Sequence, residues 1–385
     1  MPLVDRLSES LAALDRESLR RKRRVIDSAQ ATCVRAGGRT LLNFSSNDYL
    51  GLASDARLVD AVRRSLGEYG VGSGASPLVS GHLRAHEEAE ERFAAFCGLP
   101  RALLFGSGYA ANIGILTALA GPDADVFGDR LNHACLHDGA RLSRGTYVRY
   151  PHLDMEALEQ ALAASRAAVR VVATDTVFSM DGDVAPVPRL VELCERYDAW
   201  LVLDDAHGVG VLGASGRGSL EHFGVASPRI VYMATLGKAL GGYGAFAAGT
   251  DDAIEWLLQR ARTYIFSTAL PPMMAAAASA ALAIVAADGS LLRRLRERIA
   301  EFRRGCAALG VPVTPSETAI QPVIVGEAAR AVDVSGRLFD RGFLVPAIRP
   351  PTVPKGTSRL RVSLSAAHTR ADVERLTHAL SEALA

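Results

Sequence analysis

The central part of the chain alternates short, continuous apolar segments with longer segments of helical periodicity. Four apolar segments predict strands, at 102–105, 169–174, 199–203 and 230–233. Because these segments are apolar without alternation, we expect both faces of each strand to be buried, as in a parallel sheet covered by helices. The stretch 187–197 has the length of a helical crossover between two parallel strands. The pattern therefore predicts an α/β fold with a mostly parallel central sheet.

The two ends of the chain have different patterns. Residues 4–24 carry apolar positions at helical spacing and finish in five basic residues, which predicts an amphipathic helix with a basic end, either solvated or reaching an anionic ligand. The uncharged run 273–287 predicts a buried helix, because it is too short and too rich in alanine to span a bilayer. Strand-like segments at 321–325 and 359–364, with helices at both ends, predict a smaller α+β domain. We therefore expect an N-terminal helical arm (1–45), a large α/β domain (46–272), and a linking helix with a small C-terminal α+β domain (273–385).

Composition and charge argue against several classes of function. A formal net charge of +1 and a pI near 7.7 give no bulk electrostatic reason to bind nucleic acid or an anionic membrane. The five cysteines are scattered and none has C-x-x-C spacing, which argues against a disulfide framework or a zinc knuckle. The N-terminus shows no apolar segment of the secretory type. We expect a cytoplasmic protein with no metal, nucleic-acid or membrane partner.

The most informative residue is Lys238. Lysine is rare in this chain, because only three of the 43 Lys and Arg residues are lysines: Lys22, Lys238 and Lys355. It lies in Thr235-Leu-Gly-Lys-Ala-Leu-Gly-Gly242, directly after the predicted strand at 230–233. An unpaired ammonium group is costly in such an apolar, glycine-rich setting. Lysines in these surroundings often react as neutral amines or form Schiff bases. A strand-end lysine that faces water is the alternative.

Polar residues at other strand ends could hold a pyridine ring. Asp204 and His207 follow one predicted strand, where a carboxylate could keep a ring nitrogen protonated and an imidazole could donate to a ring oxygen. His133 could stack on the ring, although a lone histidine is more often structural. Ser179 could donate to a cofactor from the end of another strand. A metal site at Asp204 and His207 would lack a second group of ligands.

Two further segments could bind anionic groups. Gly106-Ser-Gly-Tyr109 follows a predicted strand and opens a helix, and free backbone N–H groups at a helix N-terminus bind phosphate, although an ordinary tight turn explains the glycines equally well. Arg349 and Thr352 lie in a proline-rich loop, where an arginine could bind a carboxylate or simply belong to a connection. Because ligands of open α/β sheets bind at the carboxyl ends of strands, these segments and Lys238 together describe a pyridoxal phosphate site.

As a set, the motifs resemble the α-oxoamine synthases, a branch of the fold type I pyridoxal phosphate enzymes related to aspartate aminotransferase. The resemblance runs almost end to end, through segments 43–51, 70–81, 107–112, 132–133, 177–183, 204–208, 235–238, 266–270 and 349–352. It implies the fold type I architecture, in which a mostly parallel central sheet is covered by helices and a smaller α+β domain lies at the C-terminus.

The resemblance also implies roles for individual residues. Lys238 would form the Schiff base and remove the Cα proton, and His133 would stack on the cofactor ring. Asp204 would hold the ring nitrogen and His207 the ring oxygen. The other implied cofactor contacts are Gly108, Tyr109, Ser179, Thr235, and the pair Ser267 and Thr268, which would reach the phosphate of the neighbouring subunit in a homodimer. The implied substrate contacts are Asn47, Arg349, Thr352 and Arg21, with Arg20 as the alternative to Arg21.

The implied activity is the decarboxylative condensation of an amino acid with an acyl thioester. Segments 43–51 and 349–354 are most similar to the family member that uses L-alanine and pimeloyl-CoA or a pimeloyl carrier protein. Two departures bear on the substrate: Asp175 stands where a glutamate is expected, and segment 74–78 differs near the place where the amino acid is selected. The alternatives are a sister enzyme such as glycine C-acetyltransferase, a fold type I aminotransferase, and a non-catalytic protein that kept the fold.

Overall fold

The computed structural model describes residues 3–21 and 23–385, so Lys22 lies outside the described residues. The strands are β1 (Cys33–Ala36), β2 (Arg39–Asn43), β3 (Arg101–Phe105), β4 (Ala124–Asp129), β5 (Thr146–Tyr150), β6 (Val169–Asp175), β7 (Trp200–Asp204), β8 (Ile230–Thr235), β9 (Ala245–Gly249), β10 (Ile320–Gly326), β11 (Phe343–Leu344), β12 (Ala347–Ile348) and β13 (Ser358–Ser363). The helices are α1 (Leu3–Arg16), α2 (Ala56–Tyr69), α3 (Arg84–Cys97), α4 (Gly108–Leu119), α5 (Ala134–Leu142), α6 (Met155–Ala164), α7 (Val187–Arg196), α8 (Ser219–Phe223), α9 (Asp251–Arg260), α10 (Arg262–Ile265), α11 (Pro272–Ala287), α12 (Gly289–Ala308), α13 (Ala328–Asp340) and α14 (Arg370–Leu384), with a π-helical turn at Pro77–Gly81.

The larger of two compact units comprises Leu52–Ser179 and Val184–Leu292. Its sheet has seven strands in the order β3-β9-β8-β7-β6-β4-β5. All of them run parallel except β9, which is antiparallel to both of its neighbours. The predicted, mostly parallel sheet is therefore confirmed.

The four predicted strands of this unit are β3, β6, β7 and β8, and the predicted crossover helix is α7. Their residues are mostly buried, as continuous apolar sequences predict. Asp175 at the end of β6 lies in register with Asp204 at the end of β7. Because β3, β4, β6, β7 and β8 point the same way, the segments that follow them emerge at one edge of the sheet.

The apolar run near residue 280 forms the predicted buried helix. It is α11, which begins with Pro272 as its first residue and packs against α2 and α3. Among the described residues, no single helix is long and apolar enough to cross a membrane. Helices α11 and α12 pass that test only as a pair, by length and composition, and the pair is bent by 76°.

The smaller compact unit comprises the described residues up to Gly51, Met180–Asp183 and Arg293–Ala385. It contains an antiparallel sheet in the order β10-β13-β12 and a second sheet in the order β1-β2-β11, in which β11 runs parallel to β2. Helix α13 packs against both α14 and strand β11. The N-terminal arm and the C-terminal region, which we expected as separate domains, thus share one unit, whereas the linking helix at 273–287 falls in the larger unit.

The N-terminal helix is shorter than its sequence pattern suggests. Helix α1 ends at Arg16, and Ser18 has a φ of 56°, a left-handed conformation that a helix does not continue through. The described basic residues at 20–24 follow without helical structure. The amphipathic helix is therefore confirmed, but the basic residues predicted to form its end lie beyond it, and the apolar positions of α1 lie exposed as a stripe.

A half-buried carboxyl group covers part of one edge of the large sheet. Strand β3 is one of the two outermost strands, and the N–H of Leu104 donates to Oε1 of Glu90 on α3 over 2.7 Å. This bond satisfies an edge donor that a neighbouring strand would otherwise pair with. Burial raises the pKa of Glu90 to about 8, although the Leu104 N–H acts in the opposite direction.

The Glu90→Gln variant is expected to be more stable than the wild type in alkaline solution. The carboxyl ionises near 4.5 in the unfolded chain but near 8 in the fold, so folding becomes less favourable as the pH rises between these two pKa values. Glutamine keeps the acceptor for Leu104 and cannot ionise, which should raise the free energy of unfolding by on the order of 2 kcal/mol at about pH 9.

Thermal unfolding of both proteins at about pH 5 and about pH 9 checks this expectation. The gain in Tm should appear only at the higher pH. Glu88→Gln, on the exposed face of the same helix, is the matched control and should show no pH-dependent difference. An equal effect of Glu90→Gln at both pH values would mean that the carboxyl is not held in its protonated form.

Candidate active site

Lys238 lies in the turn that follows β8 and contacts a histidine. Its Nζ is 2.9 Å from Nε2 of His207, which is buried at the end of the neighbouring strand β7. The turn is closed by hydrogen bonds from the N–H of Gly241 to the carbonyl of Lys238 and from the N–H of Gly242 to that of Leu236. Gly241 has a φ of 67°, and a Cβ there would lie 2.5 Å from the backbone of Leu52, so a glycine is required. This geometry places the amine of Lys238 against an imidazole.

Asp204 ends β7 as a buried carboxylate whose two oxygens are both oriented. Oδ1 accepts from the N–H of Ala206 over 2.9 Å. Oδ2 accepts from Nδ2 of Asn112 over 2.7 Å. Asn112 lies in α4 and is fully buried. Because charge-assisted hydrogen bonds are strong, these contacts fix the direction in which the carboxylate faces.

The adjacent Asp205 organises the loop that carries His207. Its oxygens accept from the hydroxyls of Thr176 and Tyr232, and from the N–H of Ser219 over 2.8 Å. Burial raises the pKa of Asp205 to about 6 despite these three donors. Asp205 is not among the predicted site residues. The structure shows that its side chain holds the loop together beneath the site.

His133 caps the N-terminus of α5 and is held by Asp175. The backbone N–H of His133 donates to Oδ2 of Asp175 over 2.6 Å. Burial, and then repulsion by Asp204, raise the pKa of Asp175 well above its usual value. Asn132 holds the end of the same strand by donating to the carbonyl of Ala173 and accepting from the N–H of Asp175. The aspartate found in place of a glutamate therefore anchors His133.

The ring of His133 is accessible, yet its pKa is lowered. Desolvation by the surrounding protein is the largest cause, and Lys238 acts in the same direction, while Asp204 opposes both. Lys238 and Asp204 also act on the pKa of Asp175. The amine, the two carboxyl groups and the imidazole therefore form one electrostatic cluster at the carboxyl edge of the sheet.

The N-terminus of α4 presents free amides at the same edge. Ser107 caps the helix: its Oγ accepts from the N–H of Ala110, and its carbonyl accepts from the N–H of Ala111. The first-turn amides left for an anion are those of Gly108 and Tyr109. A Cβ at Gly108 would lie 3.9 Å from Cβ of Thr235, so this turn lies beside the start of the Lys238 segment.

The remaining predicted cofactor residues have varied surroundings. The hydroxyl of Thr235 donates to the carbonyl of Gly244 over 3.0 Å and accepts from the N–H of Gly237. Ser179 is half-buried after β6. Ser267 and Thr268 are exposed between α10 and α11, and no contact among the described residues joins them to Lys238. The structure of the single chain thus leaves this last pair apart from the cluster.

Three of the predicted substrate residues, all in the smaller unit, are linked around residues 18–21. Nη2 of Arg21 donates to Oγ1 of Thr352 over 3.2 Å. Arg349 donates to the carbonyl of Ser18. Arg20 instead pairs with Asp15 on α1, at 2.6 Å. Of the two arginines considered, Arg21 is therefore the one that meets the loop at 349–352.

Asn47 belongs to a different, buried cluster in that unit. Its Oδ1 accepts from Nη1 of Arg361 over 3.0 Å and from the hydroxyl of Tyr49 over 3.1 Å. Arg361 is buried within β13 and also donates to Oγ of Ser363. Sequence reasoning missed Arg361, because an arginine within an apolar strand is usually taken to face solvent.

Asn112 and Cys135 were also missed, although both lie in or beside quoted motifs. Asn112 follows Gly108 by four residues, which places the two on the same face of α4 one turn apart. This spacing was the available signal that an amide lies beneath the turn predicted to bind phosphate. Cys135 lies two residues after His133, and its thiol contacts both His133 and Asn112.

The residues present fit pyridoxal phosphate by the chemistry of their groups. Lys238 offers a primary amine for an aldehyde, and Asp204 offers an oriented, buried carboxylate for a ring nitrogen. The N-terminus of α4 offers two amides and a helix dipole for a phosphate group. The side chain of Asn112 holds Asp204 without adding a charge that would compete with the ring.

Comparison with known proteins identifies the family. A family model described as aminotransferase class I and II matches residues 39–380. The 8-amino-7-oxononanoate synthase of Methylobacillus flagellatus is 55% identical over 385 residues, covering 99% of this chain and 97% of its own. That of Herminiimonas arsenicoxydans is 52% identical over 382 residues, covering 98% of each.

A solved structure shows the same architecture. A serine palmitoyltransferase from S. paucimobilis, solved with a bound PLP-myriocin aldimine, has a TM-score of 0.93 at 27% identity and covers 100% of this chain and 98% of its own. The predicted fold type I architecture and the resemblance to pyridoxal phosphate enzymes are confirmed. The chain belongs to the class I and II aminotransferase family and, within it, to the 8-amino-7-oxononanoate synthases.

Proposed function

We propose that the protein condenses L-alanine with a pimeloyl thioester, with loss of CO2, to give 8-amino-7-oxononanoate in biotin biosynthesis. The acyl donor is pimeloyl-CoA, which releases CoA, or a pimeloyl carrier protein. The observation that carries this proposal is the contact between Lys238 and His207 beside the oriented carboxylate of Asp204. The 55% identity to a synthase of this name over nearly the whole chain supports the choice of substrates.

The cofactor proposed for this site is pyridoxal phosphate. When bound, it supplies an aldehyde that captures amines and a protonated ring that withdraws electrons from the Cα–H bond. We assign Asp204 to the ring nitrogen, His207 to the ring oxygen and His133 to the face of the ring. Because a histidine with a lowered pKa remains neutral, His133 can lie against the ring without opposing its positive charge. The phosphate contacts we assign are the amides of Gly108 and Tyr109, with Ser179 and Thr235 as further cofactor contacts.

Lys238 is proposed to move the proton at Cα of the amino acid. Its Nζ shares a hydrogen bond with Nε2 of His207, so that one of the two atoms holds the proton while the other accepts it. A neutral amine in this position can take the Cα proton and later return it. His207, being buried and fixed by the loop around Asp205, keeps the amine directed at one position.

We assign the substrate to residues of the smaller unit. Arg349 and Thr352 bind a substrate carboxylate, and Arg21 binds the acyl substrate, with Asn47 as a further contact. The bond between Arg21 and Thr352 supports this assignment, because it joins two of these side chains. A guanidinium can bind a carboxylate through two parallel hydrogen bonds.

We further propose a cytoplasmic homodimer in which Ser267 and Thr268 reach the phosphate in the neighbouring subunit. Both residues are exposed, and the adjacent Phe266 leaves 69% of its surface open. Aromatic side chains are enriched at protein interfaces. All five cysteines are free, as in proteins of a reducing compartment. The molar mass in solution tests the dimer.

Thiol release from acyl-CoA substrates tests the reaction. L-Alanine with pimeloyl-CoA should release CoA, whereas glycine or L-serine with pimeloyl-CoA, and L-alanine with acetyl-CoA or palmitoyl-CoA, should release little. Release of CoA with L-serine and palmitoyl-CoA would instead indicate the activity for which the structurally similar serine palmitoyltransferase is named. If no CoA substrate releases its thiol but a pimeloyl carrier protein is turned over, the reaction is the proposed one and the acyl donor is the carrier protein.

A further inference from the structure

Two buried residues beneath the site have no role in the proposed reaction. Asn112 on α4 is fully buried, and Cys135 on α5 is 2% exposed. Nδ2 of Asn112 lies 2.7 Å from Oδ2 of Asp204 and 3.1 Å from Sγ of Cys135. Sγ of Cys135 lies 2.8 Å from Nδ1 of His133. These hydrogen bonds form a continuous chain from Asp204 to His133, both of which we propose to contact the cofactor.

The direction of each hydrogen bond in this chain follows from its members. Burial raises the pKa of Cys135, so the sulfur carries a proton and can donate it. Asn112 has two hydrogens on Nδ2, which it donates to Asp204 and to Cys135. We assign Nδ1 of His133 as an acceptor, since both the thiol and the N–H of Cys135 point at it. The ring proton of neutral His133 therefore lies on Nε2.

We propose that Asn112 and Cys135 are positioning residues, which fix the carboxylate of Asp204 and the tautomer and orientation of His133 as one hydrogen-bonded unit. The proposal rests on the proposed function, because it takes Asp204 and His133 as cofactor contacts. Neither positioning residue touches the reacting atoms. Asn112 acts through Asp204, and Cys135 acts through His133.

An amide is the appropriate partner for Asp204 at this place. Asp175 lies in register with Asp204 on the neighbouring strand, and the two carboxyl groups repel each other. An arginine or lysine in place of Asn112 would offset that repulsion but would also compete with a cationic ring for the carboxylate. An amide donor fixes the orientation of Asp204 and adds no net charge. The carboxylate thus keeps its full attraction for a protonated ring nitrogen.

Asn112→Leu tests the proposal, because leucine has nearly the shape of asparagine and donates no hydrogen bond. We expect the affinity of the apoprotein for pyridoxal phosphate to fall about 10-fold, as loss of a bond to a charged group implies. The pH midpoint of the absorbance of the bound cofactor should shift by about one unit. The kcat should fall about 10- to 100-fold, while KM for L-alanine changes less than about 3-fold.

A double-mutant cycle separates positioning from general damage. In the Asp204→Asn background, Asn112→Leu should lower the cofactor affinity less than about 3-fold. The carboxylate that Asn112 orients is already absent in that background. Ile115→Val, on the same helix and equally buried, is the matched control. It should lower Tm without moving the cofactor absorbance. An equal cost of Asn112→Leu in both backgrounds would overturn the role through Asp204.

Cys135 provides a second, conservative test, should Asn112→Leu fail to fold. Cys135→Ala removes the donor to His133 and should shift the cofactor absorbance, whereas Cys135→Ser retains a donor and should restore the wild-type profile. Identical profiles for the two variants would overturn the proposal for Cys135. Because cofactor affinity and absorbance are measured without substrate, a wrong substrate assignment would leave these results unaffected. Failure of the wild-type apoprotein to bind the cofactor would instead contradict the proposed function.

Discussion

The Lys238→Ala enzyme is expected to lose turnover, with kcat reduced by at least about 10⁴-fold. In the proposed mechanism, Lys238 supplies both the amine that captures the cofactor and the base for the Cα proton, and alanine replaces neither. An arginine cannot take over, since it stays protonated in proteins. Among the described residues, the other lysine is Lys355, which is exposed and lies in the smaller unit. Thiol release with L-alanine and pimeloyl-CoA measures the loss.

Two variants make this result specific to the amine. Lys355→Ala removes an exposed lysine and should retain nearly the wild-type rate. Lys238→Arg keeps a positive charge near His207 and should be as inactive as Lys238→Ala. The cofactor absorbance should change in both Lys238 variants and stay unchanged in Lys355→Ala. Appreciable condensation by either Lys238 variant would refute the assigned role.

Strands buried on both faces were predictable, and those with mixed composition were not. β6, β7 and β8 are continuous apolar segments, and this pattern predicts strands that are buried on both faces, as the structure has them. β9 reads Ala-Phe-Ala-Ala-Gly, a composition with little strand propensity, and it forms because β3 and β8 pair with it on either side. β5 is an edge strand with exposed and half-buried residues, so its apolar signal is weak.

Candidate site residues could be recognised in the sequence where strand ends carry unusual polar groups. Lys238, Asp204 and His207 each lie at or just after the end of a buried strand, and the parallel sheet brings those ends together. The partners that hold them were not predictable, because the contacts join distant parts of the chain. Asn112 and Asp204 are 92 residues apart, and only the packed fold brings the amide to the carboxylate. The end of α1 depends in the same way on the backbone conformation at Ser18, for which the apolar periodicity gives no signal.

The Asp204→Asn enzyme is expected to bind the cofactor yet lose about 10³-fold in kcat. A carboxylate stabilises a protonated ring nitrogen, and a neutral amide does not, so the ring withdraws fewer electrons from the Cα–H bond. The substitution is nearly isosteric. Oδ1 of Asn112 has no hydrogen-bond partner among the described residues. A flip of the Asn112 amide, which exchanges Nδ2 and Oδ1, lets this oxygen accept from the new amide, so local packing should survive.

Two measurements show whether the loss of kcat comes from the missing negative charge at residue 204 or from damage to the fold. Tm of the apoprotein should stay within a few degrees of the wild type, and the absorbance of the bound cofactor should show a pH dependence shifted toward the unprotonated ring. Asp138→Asn, which alters a carboxylate that accepts from the hydroxyl of Tyr109, is the matched control and should cost less than about 10-fold in kcat. If Asp204→Asn keeps more than about a tenth of the wild-type kcat, the ring nitrogen does not depend on Asp204. A variant that loses the cofactor altogether would instead assign Asp204 to binding, and the electron-withdrawing role would have to lie with another group.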